Sequence, residues 1–297
     1  MENWKFHNSE VRNKRLNCAF CIHGIPSVHF CEFTTYMLNN ILTKLGVRKP
    51  ATPWQRPPST FDEVYRYLIA EKNKEVTIFD VGSHHGESIE RFLAIVPDAI
   101  IHSFEPDTDN FKILMEKFGT NDRIILNNCG ISDQPGTLTF HRYAKSDVSS
   151  FLEVNKENIW TKFRSAQSNT NPEEFETKTY EVPVQSIDQY IMDNNIQQID
   201  LLKMDTQGFE DKALIGASDA LQKKLINYIE LELIVKSPYK SSLLFRDIEN
   251  ILVPADYHMY GIGSGSNYFK TYILQFDLLF ASKEFYLEGP YINRLPK

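Results

Sequence analysis

From Phe61 onward, short runs of β-branched and aromatic residues alternate with longer stretches in which apolar positions recur every three or four residues. The first pattern is that of strands buried on both faces and the second that of amphipathic helices, so the chain predicts a parallel sheet covered by helices on both sides. Val76–Val81, Ile100–Phe104, Arg123–Asn127, Ile199–Asp205 and Ile226–Leu233 are the candidate core strands. Helices are predicted over Glu87–Ile95, which Pro97 closes, and over Thr108–Phe118, Gly208–Ala217, Ala220–Lys224 and Leu243–Leu252. Val182-Pro183-Val184 and Ser186–Asn194 lead into the fourth core strand, and runs around Tyr257–Ile262 and Tyr272–Ala281 predict a closing antiparallel pair. The inventory is that of an α/β, Rossmann-like doubly wound fold, with a seven-stranded, mostly parallel sheet and a C-terminal antiparallel hairpin.

Two segments break the alternation. Residues 1–58 are irregular and end in Lys49–Pro58, which holds four prolines and reads as a linker, so they predict a small N-terminal extension ahead of one domain over 59–297. Residues 153–178 are polar, with Asn155, Asn158, Asn169, Asn171 and Pro172 and scattered aromatics at Trp160, Phe163 and Phe175. A structureless insertion of that length in a compact domain is commonly a lid or binding loop, and here it is a candidate substrate lid.

Composition narrows the function classes. Apolar residues at 42% and charged residues at 24% are ordinary for a globular chain. The formal net charge of -7 argues against a partner recognised through its phosphate backbone, so no nucleic acid is expected. No run is long and apolar enough for a membrane helix, and the first residues do not lead into a signal-peptide core. Four cysteines in 297 residues are not a disulfide framework, which fits a cytoplasmic protein. Cys18-x2-Cys21 with His23, His29 and Cys31 offers zinc-binding residue types, but the spacing is too short for a usual finger, and no metal site is assigned.

Candidate chemistry begins where the first strand ends. Phe79-Asp80-Val81-Gly82-Ser83-His84-His85-Gly86 runs from strand into helix, placing backbone N–H groups and a helix N-terminus at the carboxyl edge of the sheet. The second strand ends in Phe104-Glu105-Pro106, where an acid is positioned to accept hydrogen bonds from both ribose hydroxyls of an adenosine-containing cofactor. A dinucleotide site wants a glycine where His84 stands, so its pyrophosphate can sit on the turn. The turn therefore favours a cofactor without pyrophosphate, such as S-adenosylmethionine, whose amino-acid end would meet an acid such as Asp80. A nicotinamide-dependent oxidoreductase is the rival enzyme class, and a non-catalytic binding protein on the same fold is the rival outside enzymes.

The motifs agree in order with one family. Asp80-Val81-Gly82 with Gly86 and Ser88, Phe104-Glu105-Pro106, Asn128-Cys129-Gly130-Ile131-Ser132-Asp133 with Gly136, and Ser149-Ser150-Phe151-Leu152 come first. Ser186-Ile187-Asp188, the run from Ile199 through Lys203, Asp205 and Gly208 to Glu210, and Ile229-Glu230-Leu231-Glu232 follow. On these the chain resembles the FkbM family of methyltransferases, a branch of the class I fold, over roughly residues 75 to 235. The resemblance implies an O-methyltransferase acting on sugars or polyketide-type natural products. It would make Gly82, Ser83 and Glu105 cofactor contacts, with Ser132 or Asp133 near the adenine. His84 stands where the family usually has Asn, His85 where it has an apolar residue, and Gln207 where it often has Glu.

Methyl transfer from a sulfonium is an in-line displacement, so the protein aligns the acceptor and excludes water, and an alcohol acceptor needs a base or a metal. Asp205, at the end of the fourth strand, is the first candidate for that base, and Glu232, preferred over Glu230 as nearer the carboxyl edge, is the second. Either histidine of the turn, His84 foremost, is a further candidate, and the acids Asp205 and Glu232 are the alternative place for a divalent metal. Ser149-Ser150 offers hydroxyls to the acceptor, and Lys203 shares the face of Asp205 as a partner for a nearby acid. The cofactor set is thus Asp80, Gly82, Ser83, His84, Gly86, Ser88, Glu105, Pro106, Ser132, Asp133 and Asp205. The expected acceptor is a small molecule or saccharide, and the sequence leaves the oligomeric state open.

Overall fold

Thr77-Ile78-Phe79-Asp80-Val81 forms the central strand, β1, because its alternate residues supply apolar side chains to both faces of the sheet at once. A computed structural model describes residues 61–62, 65–66, 75–235, 237–241, 243–269 and 272–286, with backbone alone at 264–269, 272–274 and 286. The N-terminal extension and its Cys/His cluster lie outside the described residues.

From β1 the chain passes through α1 (Glu87–Ile95), β2 (Ile100–Phe104), α2 (Thr108–Phe118) and β3 (Ile124–Asn127). A second region follows, with β4 (Gly130–Ile131), β5 (Gly136–Tyr143), a 3-10 turn at Ser146–Val148, α3 (Ile159–Gln167) and β6 (Glu176–Gln185). The chain then returns through α4 (Ile187–Asp193), β7 (Ile199–Met204), α5 (Glu210–Ile215), α6 (Ser218–Gln222), β8 (Ile226–Ile234), α7 (Phe245–Leu252), β9 (Tyr257–Phe269), β10 (Tyr272–Ser282) and α8 (Lys283–Tyr286).

The strands of the main sheet lie in the order β3-β2-β1-β7-β8-β10-β9. The first five are parallel, and β10 runs antiparallel to both β8 and β9. The chain steps outward from β1 to β3 and then crosses to β7 on the other side. That reversal opens a crevice at the carboxyl ends of β1 and β7, where open α/β sheets bind ligands. One face of the sheet packs Phe79, Leu202, Ile229 and Phe280 against Ile187, Leu214 and Ile248 of the helices. The other packs Ile78, Ile101, Leu201, Tyr228 and Leu279 against Ile89, Phe92 and Leu114. Burial of each such side chain contributes roughly 1.5–3 kcal/mol. The architecture is the seven-stranded α/β fold read from the sequence. Among the described residues no helix is long and apolar enough to cross a membrane.

The expectation for residues 153–178 needs correction. They are not structureless: Asn158 caps α3 by accepting from the Trp160 N–H, and the segment ends by entering β6. Val154 and Phe175 are buried with Tyr143, Val148, Ile234 and Tyr239 in a separate small core. With β4 and β5, β6 forms a second, three-stranded sheet in the order β4-β6-β5. A polar chain segment folds here because side chains close its own turns. Asn155, Asn158 and Asn171 each accept from backbone N–H groups two or three residues on, and Asn158 also donates to the Ser237 carbonyl at 3.0 Å. No residue of 153–178 lines the cleft; the wall facing the glycine turn comes from Phe140, Ser146, Ser149 and Phe151.

Candidate active site

On one face of the main sheet each central strand changes character as it nears the cleft. Residues two apart on a strand share a face, as do register partners. Ile78, Leu201, Tyr228 and Ala281 make an apolar row, Asp80, Lys203 and Glu230 with Leu279 make the next, and Glu232 with Asp277 continue outward. The core face thus turns into a charged floor at the sheet's edge, where water and ligand can enter.

Gly82 closes the first strand with φ 83, a left-handed value open to glycine, and a Cβ there would lie 2.0 Å from the Asp205 carbonyl oxygen. The turn must therefore be glycine for β1 and β7 to meet. The Gly82 and Ser83 N–H groups both donate to the Phe104 carbonyl, and Ser83 Oγ donates to the Asp80 carbonyl at 2.9 Å, locking the turn against β2. Gly86, at φ 87, starts α1 and packs on Phe118 and Leu114.

The cleft, of about 360 Å³, is walled on one side by this turn and by Glu105, Pro106 and Asn110. Glu105 is buried; its Oε2 accepts from the His84 N–H at 2.7 Å and its Oε1 from the Asp107 N–H at 2.9 Å. Burial pushes its carboxyl up to about 8, against the pull of those two donors. Next to it the buried Asn110 Oδ1 has no hydrogen-bond partner, an acceptor facing the same space that a ligand donor would satisfy. A glycine cradle, a buried carboxylate and an unsatisfied acceptor fit an adenosine with its ribose diol. They offer no cluster of cations for a pyrophosphate.

The floor is held by a different set. Asp80 is fully buried; its Oδ2 accepts from Ser88 Oγ at 2.5 Å, and the Lys203 ammonium lies 3.4 Å from its Oδ1. Lys203 is also 3.7 Å from Asp205 Oδ2, and these neighbours hold its pKa above the ordinary lysine value despite burial. Gln207, at φ 57, donates its amide to both Asp205 Oδ1 at 2.8 Å and Glu232 Oε2 at 3.0 Å. Glu230 accepts from the Tyr65 hydroxyl and, at 2.8 Å, from Arg91 Nη1, and Arg91 pairs in turn with Asp62 at 2.7 Å.

A family model described as the methyltransferase FkbM domain matches residues 80–259, more than half of the chain. The chain belongs to the FkbM family of methyltransferases. Its methyl donor is S-adenosylmethionine. The chain is also 28% identical over 233 residues, 74% of its length and 90% of the relative's, to the 2-O-methyltransferase NoeI of Sinorhizobium fredii (strain NBRC 101917 / NGR234). Among solved structures, a TehB-like SAM-dependent methyltransferase from Corynebacterium glutamicum matches 87% of this chain and 100% of its own, at 10% identity and a TM-score of 0.37. Aeropyrum pernix fibrillarin with bound S-adenosyl-L-methionine matches 73% and 74%, at 10% identity and a TM-score of 0.37.

In this FkbM methyltransferase the residues singled out from sequence fall into two groups. Gly82, Ser83, His84, Ser88, Glu105, Pro106 and Asp205 line the cleft, as does Ser149. Asp80, Gly86, Ser132, Asp133 and Glu232 do not. Asp80 lies beneath the floor as counter-ion to Lys203, and Gly86 faces α2. The Ser132 N–H is tied to the Gln185 carbonyl, and Asp133 lies 3.6 Å from Lys212. Glu232 is turned to the amides of Gln207 and Gln275, so Glu230, level with Lys203, takes the cleft position for which the sequence favoured Glu232.

His84 Nε2 contacts Ser146 Oγ at 2.9 Å, joining the turn to the opposite wall, and burial lowers its pKa. The pair Asp205 and Glu232 is bridged by an amide rather than open to a metal. His84, His85 and Glu87 bring potential ligand atoms within 4.8 Å of one another, but the two imidazoles stack at 3.7 Å, which sets their lone pairs side by side rather than converging. Arg91, Asn110 and Asp277 line the cleft and were not singled out from sequence. Asp277 alone left a trace there, as a lone acid within the apolar run of β10.

Proposed function

We propose that this methyltransferase moves the methyl group of S-adenosylmethionine to a hydroxyl on a saccharide or glycosylated metabolite. The observation that carries the reading is the floor of the cleft, where Asp205, Glu230 and Asp277 sit with Ser146 and Ser149 opposite. Carboxylates and hydroxyls in a partly shielded cleft recognise an array of neutral hydroxyl donors, the surface of a sugar. The same acids and the net charge of -7 oppose a polyanionic acceptor such as nucleic acid. The likeness to a 2-O-methyltransferase supports oxygen as the methylated atom.

In this reading Glu105 accepts the ribose hydroxyls, Asn110 accepts from a cofactor N–H or O–H, and the Gly82-Ser83 turn and Pro106 shape the remaining cofactor wall. Bound there, S-adenosylmethionine supplies an electrophilic methyl on a sulfonium. Lys203 holds Asp205 by charge and Gln207 holds it by hydrogen bond, so Asp205 orients the acceptor. Phe140 of β5 and the nearby Phe151 exclude water from the facing side.

The test is direct. The full chain should be thermally stabilised by S-adenosylhomocysteine and not by NAD. With S-adenosylmethionine and a panel of methyl glycosides it should yield a product heavier by one methylene together with S-adenosylhomocysteine. Stabilisation by NAD alone, or methylation of tRNA in place of any glycoside, would sink the reading.

A further inference from the structure

We propose that Asp277 on β10 is the general base of the transfer, taking the proton of the acceptor hydroxyl as its oxygen is methylated. The inference rests on the reading above that the acceptor carries a hydroxyl. An alkyl alcohol keeps its proton at neutral pH, so a base able to accept that proton has to stand at the acceptor's side of the cleft.

Seven carboxylates and His84 compete for the role, and their partners separate them: Glu87 and Ser146 engage the two ring nitrogens of His84 at 3.6 and 2.9 Å, and Arg164 pairs with Asp147 at 2.5 Å. Asp205 is engaged on both oxygens, by the Gln207 amide at 2.8 Å and by the Lys203 ammonium at 3.7 Å. Glu230 is engaged by the Tyr65 hydroxyl and the Arg91 guanidinium. Glu232 takes the amides of Gln207 and Gln275 and does not line the cleft. Glu105 takes two backbone N–H groups on the cofactor side. Asp277 lines the cleft, and among the described residues no hydrogen bond or ion pair engages its carboxylate.

Its place in the sheet puts it at the acceptor's end. Asp277 is the register partner of Glu232, one step outward from the Lys203 and Glu230 pair. The neighbouring strand β9 gives it room: a Cβ on Gly263 would lie 3.1 Å from the Asp277 Cβ. The groups facing it are Glu230 and Glu232 of β8, Lys203 of β7 and Asp205 just past its end, Arg91 of α1, and Tyr65. Burial, then the charges of Glu230 and Asp205, raise its pKa to about 6, while Arg91 and Lys203 pull the other way. Such a carboxylate is ionised at neutral pH yet holds a proton more firmly than an ordinary aspartate.

The step balances. The acceptor oxygen forms a bond to the methyl carbon, the carbon–sulfur bond breaks with its electron pair passing to sulfur, and the hydroxyl proton goes to an Asp277 oxygen. Water removes that proton after the product leaves.

The test uses the full chain with S-adenosylmethionine and the methyl glycoside panel. Asp277→Asn should lower kcat about 10²–10³-fold while the affinity for S-adenosylhomocysteine stays within about twofold, since Asp277 lies away from the Glu105 wall. The wild-type kcat should rise with pH through an apparent pKa near 6, and the Asn variant should lose that limb. In Asp277→Ala, added formate should restore part of the turnover. A carboxylate of merely structural role would show none of this rescue. An Asn variant with kcat near wild type, a missing formate effect, or S-adenosylhomocysteine binding that falls in step with activity would overturn the assignment. A wild type that binds S-adenosylhomocysteine but methylates no glycoside fails the earlier reading instead. The base is then judged by carbon-detected titration of the Asp277 carboxyl in the S-adenosylhomocysteine-loaded protein. A midpoint near 6 sustains it, and one at the ordinary aspartate value of about 4 overturns it.

Discussion

The seven-stranded sheet is held by apolar surface on both faces, with Ile78 and Leu201 packed under α1 and α2 and Phe79 and Leu202 under α4 to α7. The three-stranded sheet is held by a small cluster around Tyr143, Phe175 and Tyr239 and by asparagine-capped turns, and its strands expose more than they bury. Both regions wall the cleft. The first supplies the glycine turn, Glu105 and the charged floor, and the second supplies Phe140, Ser146, Ser149 and Phe151. A rigid frame of apolar strands holds the cofactor side, while a polar region with a core of its own shapes the acceptor side. Arg142 of β5 joins them by pairing at 3.1 Å with Asp107, the cap of α2.

The two regions should fail differently. Gly82→Ala strikes the frame: its Cβ has no space beside the Asp205 carbonyl and its φ of 83 is strained for alanine. Calorimetry should find no binding of S-adenosylhomocysteine, together with a lower melting temperature; affinity within tenfold of wild type would refute the cradle. Phe175→Ala strikes the second region and empties a fully buried site. It should cost about 3–5 kcal/mol there, seen as faster amide exchange across 140–185, with S-adenosylhomocysteine affinity changed less than about threefold. Uniform exchange over the whole chain would make the two regions one cooperative unit. Asn158→Ala removes the α3 cap and the bond to the Ser237 carbonyl, so a denaturant midpoint shift worth about 1 kcal/mol is expected.

The smallest effect is on pH. Glu105 and Glu210 have folded pKa values raised to about 8 and about 7. Between the ordinary carboxylate value and those values the folded chain binds more protons than the unfolded one, so stability falls as pH rises. His102, lowered to about 4, works in the opposite sense but only below the ordinary histidine value. Denaturant midpoints should therefore decline from about pH 6.5 to 8, and Glu105→Gln should flatten the decline. A midpoint that climbs over that window would contradict the burial of these acids.

What could be read in advance follows the same divide. Helix Glu87–Ile95 ends ahead of Pro97 and helix Thr108–Phe118 begins at the Asp107 cap, both local signals. The second sheet escaped notice because β5 and β6 bury few residues, so alternation is faint, and because turns closed by asparagine look like loop in a sequence. Glu230 and Glu232 share one period, and only the register that sets Lys203 against Glu230 decides which lies on the cleft. Asp277 needed the pairing of β10 with β8, a contact across more than forty residues that no local pattern encodes. Position alone could not show that Lys203 and Ser88 occupy Asp80, which stands outside the cleft lining.

Glu105 links the glycine turn to the cofactor, and titration of S-adenosylhomocysteine into the full chain and into Glu105→Gln tests that link most directly. Above the Glu105 value of about 8, where its carboxylate is charged, the wild type should bind, and the variant should bind about 10–100-fold more weakly, as expected when a charged hydrogen-bond acceptor of about 1.5–3 kcal/mol is lost. Equal affinity in the two proteins, or binding of NAD in place of S-adenosylhomocysteine, would contradict the account.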